Sequence, residues 1–151
     1  MGDVKTAAPE ARPLIGFATE ERILMTTAAM KTPGPDHPIS MELLAGRVIV
    51  TAGGKVIADS ANALILREAS YPPVYYIPRA DADMTLLQRS PRTSHCPYKG
   101  DAAYFSIPAA GPRGTDAVWT YEETYPAVSP IAGHLAFYPD RVDAIEIRQE
   151  P

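Results

Sequence analysis

"RVIVTAGGKVIADS", Arg47 to Ser60, sets two runs of strand-forming residues on either side of a glycine pair. Gly53 and Gly54 accept the positive φ angles that a two-residue turn demands, and the β-branched Val and Ile suit a pleated surface, so the stretch reads as a β-hairpin. The same signal recurs downstream. "NALILRE" (62–68) and "PVYYIP" (73–78) follow as strands, then "KGDAAYFSIP" (99–108), "DAVWTY" (116–121), "HLAFY" (134–138) and "VDAIEIR" (142–148). Short strands divided by Gly and Pro turns point to a mainly β fold, a small antiparallel two-sheet or open-barrel domain rather than a parallel α/β one. One short helix is expected in "ADADMTLLQRS" (80–90), capped by Asp81, with Met84, Leu86 and Leu87 turned inward.

Upstream of the hairpin the composition changes. Pro9, Pro13, Pro33, Pro35 and Pro38 surround one amphipathic candidate helix, "ATEERILMTTAAM" (18–30), with Thr19 as its cap. "KTPGPDHP" (31–38) then stops any helix, because each proline lacks an amide donor and restricts the residue before it. Residues 1–40 therefore read as an N-terminal extension, a docking arm or a homodimer contact, and residues 41–148 as a single β-rich domain.

At 151 residues and 46% hydrophobic content the chain is long enough to bury one core, and no run of it is apolar enough to span a bilayer. A net charge of -4 lacks the clustered cations that grip a polyanion, so neither nucleic acid nor membrane is an expected partner. With a single cysteine and no basic, apolar leader, a reducing cytoplasm is the expected setting. "MGDVKT" fits the loose myristoylation template, but no polybasic cluster follows it to supply a second anchor.

Three familiar motifs fail on their chemistry. "TAGGKV" lacks the earlier glycine of a phosphate loop and has Val56 where magnesium would need a hydroxyl. Cys96, His37, His95 and His134 are too few and too scattered for a zinc site, so no metal is expected. No nucleophile elbow localises a serine triad.

Chemistry concentrates instead in "HCPYKGDAAYF" (95–105). In a regular strand Lys99 and Asp101 share the apolar face of Ala103, Phe105 and Ile107, which would turn the ammonium inward. An inward lysine needs a carboxylate, Asp101 or Glu68, or else a depressed pKa. A bulge at Gly100 would turn it outward instead, as an edge-strand lysine. Cys96 is either inert packing or a thiol activated by Lys99 and His95. Trp119 and Tyr121 fall on one strand face, and Tyr75, Tyr76, Tyr98 and Tyr104 add rings suited to stacking a planar ligand. Arg67 and Glu68 lie on opposite faces of their strand, so one of them joins such a cleft; Glu68 shares its face with Leu64 and Leu66.

"VIADS", "ALILRE", "YYIP", "CPYKG", "VWTY" and "LAFYPDRV", in that order over residues 41–146, resemble the family called domain of unknown function 427. The resemblance implies a β-tent-like fold, similar to methionine sulfoxide reductases of the B type. This chain lacks the cysteine pairs of those enzymes, so neither their metal nor their redox cycle carries over. The family also bears a nucleotidyltransferase label, and "KGDA" (99–102) keeps the lysine and aspartate of the Lys-x-Asp-Gly motif but has Ala102 for its glycine. Three functions are in view, with no cofactor named. The first is a small-molecule binding domain whose cleft is lined by Glu68 or Arg67, Tyr76, Tyr98, Lys99, Trp119 and Tyr121. The second is an enzyme with Lys99 or Cys96 as nucleophile, tuned by Asp101. The third is a non-catalytic interaction module.

Overall fold

The computed structural model describes residues 30–150. The helix expected at 18–30 and most of the N-terminal extension lie outside these residues. The strands, in chain order, are β1 (Ile39–Leu43), β2 (Gly46–Ala52), β3 (Lys55–Ser60), β4 (Leu64–Glu68), β5 (Val74–Tyr76), β6 (Gln88–Cys96), β7 (Gly100–Ser106), β8 (Val118–Thr120), β9 (Leu135–Phe137) and β10 (Ala144–Gln149). They form three antiparallel sheets, ordered β1-β4-β5, β10-β2-β3 and β6-β7-β8-β9, and none closes into a barrel. The Arg47–Ser60 hairpin is present as read, with Gly53 at φ 59° and Gly54 at φ 76°. A Cβ on Gly53 would sit 2.1 Å from the Ala109 carbonyl oxygen, so the turn is closed to side chains by packing as well as by φ.

Period-2 alternation divides the interior into two apolar clusters. Val48, Val50, Ile57, Ile65, Phe105, Val118, Leu135 and Phe137 fill the first. The alternate positions on the same strands, Leu66, Tyr76, Tyr104 and Ala136, join Tyr121, Val128 and Ile131 in the second. β4, β5, β7, β8 and β9 thus bury both faces, and a fully buried Val, Leu or Ile adds about 1.5–3 kcal/mol relative to exposure. Backbone hydrogen bonds between Ile77 and Leu135, both 2.8 Å, tie the sheet of β5 to that of β9.

Residues 80–90 depart from the expected helix. They form two single 3-10 turns, Arg79–Asp81 and Met84–Leu86, and then enter β6. Asp83 rather than Asp81 caps the second turn, accepting from the Thr85 amide at 3.1 Å, while Asp81 accepts from Ser60 Oγ at 2.7 Å. Met84, Leu86 and Leu87 do pack on the first cluster. β6 itself carries no apolar alternation; it is an edge strand whose register slips between Arg89 and Thr93, around Pro91.

Candidate functional site

The side chains of the second cluster leave a cavity of about 270 Å³ beside them. β4 and β5 supply Leu66, Glu68, Val74 and Tyr76, and their connection supplies Tyr71 and Pro72 at the rim. The opposite sheet supplies Tyr104 from β7, Trp119 and Tyr121 from and just after β8, and Tyr138 after β9. All of these strand residues have the parity of the second cluster, so one alternation rule builds the wall.

Lys99 forms the polar end. It is 6% exposed and lies just before β7, where Gly100 takes φ +116°. That angle breaks the alternation. Lys99 turns in among the second cluster, while Asp101, on the opposite side, is exposed and bonds to His95 Nδ1 at 2.7 Å. The expected pairing of Lys99 with Asp101 on one face is therefore corrected, and so is the idea that an irregularity at Gly100 would turn the lysine outward. The irregularity is what turns it inward.

Glu68 is the lysine's counterion. Lys99 Nζ donates to Glu68 Oε1, and the other oxygen, Oε2, lies 2.7 Å from His37 Nε2. Burial acts to raise the Glu68 pKa, but the hydrogen bonds and charges of Lys99 and His37 outweigh it and hold the carboxyl below its ordinary range. Cys96 sits half-buried at the end of β6 with its Sγ 3.8 Å from Lys99 Nζ, beside the cavity rather than in its wall.

The aromatic wall is itself hydrogen-bonded. Trp119 Nε1 donates to the Tyr76 hydroxyl at 3.2 Å, and the rings of Trp119 and Tyr138 lie 4.4 Å apart. Desolvation pushes the phenols of Tyr76 and Tyr121 well above their ordinary range and that of Tyr138 up to about 12, so all three are neutral donors at physiological pH. The Tyr104 hydroxyl bonds to Ser94 Oγ at 2.8 Å, and the Arg92 guanidinium lies 4.5 Å from its ring centroid.

The structure thus brings together Glu68, Tyr76, Lys99, Tyr104, Trp119 and Tyr121 of the residues singled out from sequence. Arg67 takes the other face of β4, exposed, and pairs with Glu42 at 3.3 Å. Tyr98 does not line the cavity; its ring stacks on His37 at 4.0 Å and 4°. His37 is the residue that sequence reading missed as a site member. "KTPGPDHP" reads as a linker, yet it is strapped across the site by Lys31 N to Pro97 O and Ala69 N to Pro38 O, both 2.8 Å. A turn closed between Gly34 and His37 aims the imidazole at Glu68. Only its being a histidine beside a proline-rich break could have marked it.

A model of the family described as Domain of unknown function (DUF427) matches residues 40–148, most of the chain, and the chain belongs to that family. His37 lies three residues before the matched segment. No curated protein matches the chain. Among the described residues no helix is long and apolar enough to cross a membrane.

Proposed function

We propose that this member of the DUF427 family binds a small, mostly planar molecule in the cavity between β4–β5 and β7–β9. One observation carries the reading: a buried ammonium, neutralised by Glu68, stands at the end of a hollow walled by Tyr76, Tyr104, Trp119, Tyr121 and Tyr138. Rings supply dispersion and quadrupole contacts to a flat ligand, and Lys99 supplies a donor that fixes which end enters first. The volume, about 270 Å³, suits a ligand of one or two rings, since pockets for drug-sized ligands start at about 300 Å³.

The same geometry favours a small ligand over a nucleoside triphosphate. Of the Lys-x-Asp pair, Lys99 faces the cavity and Asp101 faces solvent beside His95. A triphosphate also needs several cations, and among the described residues Lys99 is the only one in the cavity wall, already paired.

A thermal-shift screen of aromatic metabolites tests the reading, with Trp119 emission as a second readout. A ligand at a hundredfold excess over its Kd adds about 2.7 kcal/mol of stability. Hits that shift Tm and change the emission support it. Ligands that stabilise a Trp119→Leu variant as much as the natural chain would place binding elsewhere and defeat it.

A further inference from the structure

Among the described residues Lys31 and Lys55 are exposed and Lys99 alone of the lysines is buried. Lys99 is not spent on structure alone, because it also forms part of the cavity wall. An anionic ligand would have to displace Glu68, whose second oxygen His37 holds at 2.7 Å. A carbonyl compound would displace nothing. When a protonated amine condenses with an aldehyde, an ammonium is replaced by an iminium, so the carboxylate beside it has a cationic partner before and after. A buried ion pair tolerates that change because neither end state leaves either charge alone. The aromatic walls and the small volume select an aldehyde borne on a single ring.

We propose that the cavity captures small aromatic aldehydes covalently, as an imine on Lys99 with Glu68 as the proton carrier, an inference that rests on the binding reading above. Glu68 takes a proton from the ammonium and frees its lone pair. The nitrogen attacks the carbonyl carbon; the C–N bond forms and the C=O π pair moves to oxygen, which receives a proton from the new ammonium centre through Glu68. The C–O bond of the carbinolamine then breaks, and the remaining N–H bond is kept. Nitrogen's lone pair forms the C=N bond, the oxygen leaves as water with the proton that Glu68 returns, and the iminium faces the glutamate anion. Nothing is oxidised or reduced, one water is released, and no proton is gained or lost overall. Both acting groups reach the reacting atoms, which makes Lys99 and Glu68 the catalytic residues of this step. His37 holds Glu68 Oε2 and leaves Oε1 to the lysine, a positioning role.

The test uses benzaldehyde as probe, sodium cyanoborohydride to reduce any imine, and benzyl alcohol as an unreactive ligand of the same shape. Peptide mapping of the full chain should find the benzyl group on Lys99 at a rate at least tenfold above Lys31 and Lys55, with saturating benzyl alcohol suppressing it. Lys99→Arg should lose the labelling and Glu68→Gln should slow it at least tenfold, each read at a temperature where circular dichroism shows the variant folded. Labelling of Lys99 no faster than of the exposed lysines, while benzyl alcohol stabilises the protein, overturns the covalent step and leaves the binding reading standing. Absence of both labelling and stabilisation defeats the two together. The protection measurement on the natural chain decides the matter even where a variant fails to fold.

Discussion

Lys99 and Glu68, 31 residues apart in sequence, close an ion pair inside the second apolar cluster, with side-chain exposures of 7% and 16%. The pair joins the strand β4 to the loop before β7, so it clamps the two walls of the cavity as well as furnishing its polar end. Removing one partner from such a pair strands the other charge in a poorly solvated place. Glu68→Leu should cost about 3–5 kcal/mol of unfolding free energy, while Lys99→Met combined with Glu68→Leu should recover much of that loss. Urea denaturation of both variants checks this; equal losses in the two would mean the pair is solvated.

Acid should loosen the same clamp. The folded-state pKa of Glu68 is held below its ordinary value of 4.5, so the group contributes stability that is complete above that value and is lost as pH falls through the folded one. Unfolding free energy measured from pH 7 down to pH 3 should therefore decline more steeply for the natural chain than for Glu68→Gln below about pH 4.5. Parallel curves would contradict the assignment.

Gly100 is the hinge on which the lysine's direction depends. At φ +116° a side chain is strained, and a Cβ there would come 3.3 Å from the Glu123 carbonyl oxygen. Gly100→Ala should cost about 1–3 kcal/mol. It should also weaken the binding of any cavity ligand, measured by titration at a temperature where the variant remains folded. Unchanged affinity would separate the turn from the site.

Among the described residues the Trp119 indole has a single acceptor, the Tyr76 hydroxyl at 3.2 Å. Tyr76→Phe leaves that N–H unpaired and should cost about 1–3 kcal/mol. Because Trp119 is the only tryptophan in the chain, its emission should also move, whereas an unmoved spectrum with full stability would mean that water already satisfies the indole.

Asp101 is exposed and, among the described residues, its carboxylate engages His95 alone, beside it in the ladder between β6 and β7. Asp101→Asn should leave stability within about 0.5 kcal/mol of the natural chain, as surface changes usually do, and ligand affinity unaltered. A large loss of ligand affinity in this variant would revive the Lys-x-Asp reading.

Much of the architecture was legible because it is local. The glycine pair at 53–54 announces its own hairpin, and period-2 parity alone puts Leu64, Leu66 and Glu68 on one face of β4 and Trp119 with Tyr121 on one face of the segment around β8. β6 was illegible for the converse reason. Its residues are mostly polar and exposed, and it is a strand only because β7 lies alongside to pair with it. The short helix expected at 80–90 failed in the same way, since its apolar residues needed only to reach the first cluster, which two 3-10 turns allow.

By itself the chain's residue pattern settled the β class, the antiparallel hairpin and the faces of β4 and of the segment around β8, since alternation is a property of consecutive residues. Only the folded molecule decided that Lys99 turns inward, that its partner is Glu68 rather than Asp101, and that His37 from the apparent linker completes the group. Those outcomes rest on one backbone angle at a glycine and on contacts across 31 residues, where no local periodicity reaches and packing alone selects among the available partners.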